Sequence, residues 1–321
     1  MSRLITIFAL AILLAGCLEV DNGIEFDSLT SPYIEGLTVH NYPKIDGSTS
    51  TEPLNTIIAC TLFGIDYEWV EYGSNLRRIA PVLKKNDIEK FNTLIKSSQT
   101  HHSFINLIDR DADLILVART MSPDEKKYAD NADTLLTETP IALDALIFIV
   151  NPHNPIESLT TAQIQDIYTG VITSWGEVGW NVAFPPDIIP YVRNRNSGSQ
   201  ELMETLAMKG VDIANLPVNH DELVLFTMSG AVDKVFHEYN AICYTIYYYK
   251  EFMVTGVDVK SMSINGIYPN RETISDRSYP YAAAVYAVTR AYDWTMARQV
   301  HDWLQTDAGK QAIIDSGYIP Y

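Results

Sequence analysis

Short, continuous apolar runs recur along this chain, separated by stretches with helical periodicity. Asp113-Leu114-Ile115-Leu116-Val117 and Ala142 to Val150 (ALDALIFIV) lack the alternation of a half-solvated strand. They read as strands buried on both faces, as in parallel sheets sheathed by helices. After the second run, Ser158 or Thr160 caps a helix whose Ile164, Ile167 and Tyr168 lie at helical spacing. Ile188 to Val192 is a strand leading into Arg193-Asn194-Arg195-Asn196-Ser197-Gly198-Ser199, and a helix follows through Met208. Val285 to Thr289 is a further strand, ahead of an amphipathic helix with Trp294, Ala297, Val300, Trp303 and Leu304 on one side. The alternation predicts an α/β fold with mainly parallel sheets. At about 150 residues per domain, 321 residues give roughly two domains. A hydrophobic content of 47% excludes disorder as the main state. The net charge of −17 excludes nucleic acid as the main partner, because a phosphate backbone needs a positive footprint.

The N-terminus is an address. Arg3 precedes an apolar run from Leu4 to Ala15, shorter than the roughly 20 residues a membrane span requires. Residues 1–16 read as a secretory signal. Leu14-Ala15-Gly16-Cys17 resembles a lipobox, in which Cys17 is lipidated and becomes the new N-terminus. Residues 17–41 then read as a polar, lipid-anchored tether. The expected location is outside a bacterial membrane, anchored to it and not crossing it. Cys60 and Cys243 sit in apolar surroundings and read as buried thiols, with a disulfide as the alternative. Neither forms a CxxC, and the adjacent pair His101-His102 cannot ligate from one helix face, so no metal and no cofactor is expected. His237 and His301 are candidate bases only by elimination. The run Tyr244, Tyr247, Tyr248, Tyr249 reads as a buried face with its hydroxyls hydrogen-bonded.

The chemistry sits at helix starts. Gly47-Ser48-Thr49-Ser50-Thr51, Ser98-Gln99-Thr100 and Asn196-Ser197-Gly198-Ser199 each place small hydroxyl residues just ahead of a helix. A helix N-terminus has unpaired N–H groups and about half a positive charge. Such a place suits an anion, and a glycine lets backbone approach it closely. Any one of these residues could be an N-cap alone. Three segments together, one preceded by Arg193, point to an oxyanion site.

In these segments the chain resembles the phosphate-binding proteins of ABC transporters, the PstS-like type 2 periplasmic binding proteins. Asp46 to Leu54 (DGSTSTEPL) is similar to the family's first anion loop. Asn151 to Gly179 is similar to its most recognisable block, and Arg193 to Gln200 (RNRNSGSQ) to its second anion loop. Ser278-Tyr279-Pro280 and Gly309 to Pro320 are similar to its return crossing and C-terminal signature. The resemblance covers residues 42–321. It implies two lobes, 42–143 with 283–321 and 144–282, each a mainly parallel sheet flanked by helices. Two crossing strands, near Ala142–Val150 and Tyr281–Thr289, would join them.

The resemblance also implies a phosphate or similar tetrahedral oxyanion held between the lobes. Ser48, Thr49, Ser50, Thr51 and Thr100 would donate from the first lobe, and Arg193, Ser197, Gly198 and Ser199 from the second. The implied protein is a monomeric, non-enzymatic lipoprotein serving an ABC permease. Two positions depart from the family. Where it often carries acidic residues that accept the anion's proton, this chain has Arg195 and, after the Asp113–Val117 strand, Arg119. Both either enter the cleft as further donors or face solvent. The alternatives from other classes are a phosphatase or hydrolase using a cleft serine, and a sensor or adhesion protein on the same fold.

Overall fold

The computed structural model describes residues 25–213 and 223–321. The expected signal segment 1–16, Cys17 and residues 18–24 of the expected tether lie outside the described residues.

β1 (Ile45–Gly47) leads through a 3₁₀ turn (Thr49–Thr51) into α1 (Glu52–Phe63). A hairpin follows, β2 (Tyr67–Tyr72) and β3 (Leu76–Pro81), then α2 (Lys85–Asn92), α3 (Gln99–Ile108), β4 (Leu114–Val117), α4 (Pro123–Asn131) and the long β5 (Leu136–Val150). The chain continues through β6 (Ser158–Leu159), α5 (Thr161–Tyr168), β7 (Ile189–Pro190), β8 (Val192–Arg193), α6 (Gly198–Leu202) and β9 (Val224–Leu225). Next come α7 (Met228–His237), β10 (Ala241–Ile246), β11 (Lys260–Ser261), β12 (Ser263–Ile264) and α8 (Arg271–Ser275). It returns along β13 (Ala282–Arg290) and ends in α9 (Met296–Trp303), α10 (Asp307–Asp315) and β14 (Ile319–Pro320).

The strands lie in the order β1-β4-β13-β5-β10-β7, with β11 and β14 also on β5. β1 runs parallel to β4, and β7 to β10. Pairings that involve β5 or β13 are antiparallel. β5 changes partner part-way along. Its residues from Leu136 to Ala145 pair with β13, and those from Leu146 to Val150 pair with β10. From Ile141 to Val150 every β5 residue is buried, which explains why this strand reads as an unbroken apolar run. No helix among the described residues is long and apolar enough to cross a membrane.

Two expectations need correction. Residues 25–41 are not a free tether. Phe26, Ile34, Leu37 and Val39 are buried in the main core, and the Phe26 ring meets Phe91 edge-on at 6.5 Å. Four anchors spread through a polar stretch are invisible to average composition. Trp294 does not share the buried face of the last helices: it precedes α9 and is 83% exposed, whereas Ala297, Val300, Trp303 and Leu304 are buried. Cys60 and Cys243 are free, buried thiols.

β5 carries one ionisable side chain in its buried half. Asp144 Oδ1 accepts the amide protons of Ala145 and Tyr248, while Oδ2 has no partner. Burial pushes this carboxyl up to about 7, with those two amides opposing. A value raised above that of the unfolded chain contributes stability that is complete at low pH and lost as pH rises through about 7. Asp144→Asn, neutral throughout, should match the wild type near pH ~4 and exceed it by on the order of 3–4 kcal/mol at pH ~8. Urea unfolding of both proteins across that range measures the difference; equal stability at every pH would remove the buried ionisation from the account.

Candidate functional site

A cavity of about 250 Å³ lies where four helix starts converge. The α1 start contributes Ser48, Thr49 and Ser50 through the 3₁₀ turn, and the α3 start contributes Gln99 and Thr100. The α6 start contributes Ser197, Gly198 and Ser199, and the α7 start Thr227, Met228 and Ser229. Arg193, at the end of β8, and Tyr249 complete the polar lining. Helix N-termini aimed at one point add their partial positive charges there.

A buried carboxylate sets the two first loops. Asp46 on β1 accepts the amide protons of Gly47 at 2.7 Å and Ser98 at 2.8 Å, and its other oxygen accepts from Asn106 of α3. Asp46 is therefore a positioning residue. Gly47 is required by close approach, since a Cβ there would stand 2.6 Å from the Leu116 carbonyl oxygen. Across the cavity, a Cβ on Gly198 would collide with Thr100 Oγ1, so the α3 and α6 starts meet directly only because this residue is glycine.

Four of the lining hydroxyls accept a hydrogen bond from an N–H. Ser48 Oγ accepts the Ala118 amide at 3.2 Å and shares a hydrogen bond with Thr100 Oγ1 at 2.8 Å. Ser197 Oγ accepts the Gln200 amide at 3.1 Å, as an N-cap does. Ser199 Oγ accepts from Arg193 Nη1 at 3.3 Å. Thr227 Oγ1 accepts the Gly230 amide at 3.1 Å.

Arg193 is 4% exposed. Its Nε donates to the Leu225 carbonyl and its Nη2 to that of Phe226. The ion pairs among the described residues include none for Arg193. Burial pulls its ionisation downward, against the opposing pull of Cys243, Tyr244 and Tyr249, yet an arginine stays cationic in a protein. The Tyr244 hydroxyl accepts the Arg193 amide proton and donates to Gln200, which fixes the β8 end.

Three sequence-expected site residues lie elsewhere. Thr51 is buried but its hydroxyl donates to the carbonyls of Ser48 and Leu116, so it ties the loop to β4 and does not line the cavity. Arg119 is buried against Glu125 in a two-pronged pair, Nη1 to Oε2 at 2.7 Å and Nη2 to Oε1 at 2.8 Å. Burial alone would raise the Glu125 carboxyl, but the Arg119 bonds and charge, the Ser122 amide and His101 outweigh it and hold it below the usual range. Arg195 points to solvent, its side chain 87% exposed and 4.0 Å from Asp124. Neither arginine is a cavity donor. The α7 start was missed in sequence reading, although Thr227-Met228-Ser229-Gly230 obeys the same rule of hydroxyls before a helix. Tyr249 does line the cavity, while Tyr244 and Tyr248 are core residues with bonded hydroxyls.

Over residues 79–308 the chain matches the family described as the PBP superfamily domain. The chain belongs to the PBP superfamily. Its relatives include a phosphate-binding protein PstS of Borreliella burgdorferi, 26% identical over 57% of this chain. That match spans 65% of the relative's length, just under two thirds. A phosphate-binding protein PstS of Staphylococcus saprophyticus is 26% identical over 77% of this chain and 79% of its own. In fold, the chain resembles a phosphate ABC transporter substrate-binding protein from Clostridium perfringens solved with bound phosphate. The TM-score is 0.63 at 21% identity, covering 86% of this chain and 98% of that one. The architecture is that of a two-lobe type 2 periplasmic binding protein.

The Arg119–Glu125 pair makes a stability prediction. Arg119→Ala leaves a buried carboxylate without its cation and should cost on the order of 3–5 kcal/mol. Arg119→Met combined with Glu125→Gln, which keeps the helix cap and removes the charge, should recover most of that loss. Urea unfolding of the single and double variants measures both; a harmless Arg119→Ala would mean that the pair carries no net stabilisation.

Proposed function

We propose that this protein captures a tetrahedral oxyanion, phosphate foremost, between its lobes and delivers it to an ABC permease. The single observation that carries this reading is Arg193: a buried guanidinium with no carboxylate partner among the described residues, at the meeting point of four helix starts. An uncompensated buried charge is costly, and an anion in the cavity removes that cost. A planar fork of N–H donors also matches two oxygens of a phosphate at once. The donors are Ser48, Thr49, Ser50 and Thr100 from one lobe and Arg193, Ser197, Gly198, Ser199 and Thr227 from the other. The phosphate-binding relatives and the phosphate-bound structure support phosphate as the ligand.

The lobes in this reading are 42–143 with 283–321, and 144–282, closing about the two crossing strands. The change of partner along β5 between Ala145 and Leu146 supports a hinge there. Export on the 1–16 signal and anchoring through a lipidated Cys17 complete the proposal. Hydrolysis by a cleft serine is the weaker reading. A serine nucleophile needs a base within hydrogen-bond reach, and the described lining has no histidine and no carboxylate.

Phosphate at about 100 times its dissociation constant should stabilise the fold by ~2.7 kcal/mol, read as a rise in melting temperature, with no turnover of a chromogenic phosphate monoester. Arg193→Ala should weaken phosphate binding about ten- to a hundred-fold, one charge-assisted bond being worth ~1.5–3 kcal/mol. Arg193→Lys should restore part of it. Titration calorimetry decides, and an Arg193→Ala protein that binds phosphate as tightly as the wild type would place the site elsewhere.

A further inference from the structure

We propose that the β2–β3 hairpin is a strap. It reaches across the division between the lobes, pairs with residues 252–255 and sets Leu76 into the cavity wall, so that the ligand leaves only after this contact breaks. This rests on the lobe division and the oxyanion reading given above. The hairpin forms a two-stranded sheet of its own, outside the main sheet. Two strands alone are marginal in water, so such a ribbon needs an outside partner. Ile79 ties its base into the core, whereas Glu71 and Tyr72 near its tip are exposed.

The partner of the tip comes from the far half of the chain. Leu76 and Val254 form an antiparallel bridge, and beside it the Thr255 amide donates to the Asn75 carbonyl at 2.8 Å. Arg77 Nε donates to the Phe252 carbonyl at 2.6 Å, and the Thr255 hydroxyl donates to Glu71 Oε2 at 3.1 Å. The Arg77 guanidinium also lies 4.7 Å over the Trp69 ring, which steadies it from within the hairpin. In the proposed division, residues 67–81 belong to the first lobe and 252–255 to the second.

Both sides of this contact reach the cavity. Leu76 lines it, and so does Tyr249. Tyr249 opens the helical turn Tyr249–Met253, and its carbonyl accepts the Val254 amide. The hairpin and the turn thus meet at one wall of the cavity. Separating them hands an amide, two carbonyls and a guanidinium to water. Each bond exchanged in this way contributes a modest net amount, the charge-assisted Arg77 bond the most. All of them are lost in one step, so the strap biases the lobes together and slows release.

A reversible lock tests this. Leu76 and Val254 face each other as a pair flanked by backbone bonding, the geometry in which Cα atoms stand about 4.5 Å apart and a disulfide fits. Leu76→Cys with Val254→Cys should therefore cross-link on oxidation, while Cys60 and Cys243 stay buried. The variant is loaded with radiolabelled inorganic phosphate, oxidised and chased with unlabelled phosphate. Release should be on the order of a hundred-fold slower than after reduction of the same protein. Arg77→Met, which keeps an apolar stem on Trp69 and drops the bond, should speed release about ten-fold. It should also enlarge the ligand-free protein in small-angle scattering, and Arg77→Lys should recover part of both effects. Failure of the cross-link to form, equal release from the oxidised and reduced variant, or an Arg77→Met protein that releases at the wild-type rate overturns the strap and leaves the oxyanion reading standing. A wild type that binds no phosphate overturns the oxyanion reading. Scattering then decides the strap, and an oxidised variant no more compact than the reduced one overturns it as well.

Discussion

Everything in this molecule is hung on one strand. β5 pairs with β13 and β14 along its first part and with β10 and β11 along its last residues. Its hydrogen-bonding edges are thus shared between two sets of partners within one sheet, and residues 141–150 are buried. A buried strand of that kind must satisfy every N–H and C=O internally, so its partners cannot shift register without leaving polar groups unpaired. That requirement fixes which strands each part of β5 carries. Loops that leave β1, β8 and β9 at their C-terminal ends then open toward the same space, the crevice beyond the carboxyl ends of strands where α/β sheets bind ligands.

What fills that space is positive potential without a basic surface. The chain is strongly acidic, yet the cavity collects four helix starts and one buried guanidinium. Net charge acts over the surface and is screened within about 10 Å at 0.1 M salt. Fixed dipoles lining a cavity act at contact distance, so the local field there is decided by Arg193 and the amides, not by the excess of carboxylates. Acidity outside and donors inside are compatible for that reason.

The fold and most of the candidate cavity lining were legible in the sequence through two rules: apolar runs without alternation mark buried strands, and hydroxyls ahead of a helix mark candidate donor loops. Ser48, Thr49, Ser50, Thr100, Arg193, Ser197, Gly198 and Ser199 all line the one cavity. The failures share a cause, which is that direction of a side chain is decided by neighbours distant in sequence. Thr51 sits one turn too far along and finds the Leu116 carbonyl. Arg119 is claimed by Glu125, whose own place is fixed by the Ser122 capping box at the start of α4. Arg195 follows Arg193 by two residues, and in extended backbone the two would share a face, but the turn beyond β8 sends one inward and the other to solvent. Phe26, Ile34, Leu37 and Val39 are spaced too irregularly to announce an element, and only the docking of residues 25–41 against the core gives them a role.

The contact between Gly198 and Thr100 ties closure to chemistry. Thr100 belongs to the segment before β5 and Gly198 to the segment after it, and the two helix starts approach so closely that a Cβ on Gly198 would collide with Thr100 Oγ1. In that arrangement like ends of helix dipoles face each other across the cavity, an arrangement that repels itself when nothing negative lies between. Ser48 and Thr100 are on one side of this divide, and Ser197, Ser199 and Arg193 on the other. An anion at the centre converts mutual repulsion among the helix starts into attraction toward a shared counter-charge. In the proposed reading, the donors that bind the anion would thereby also supply free energy that holds the lobes together.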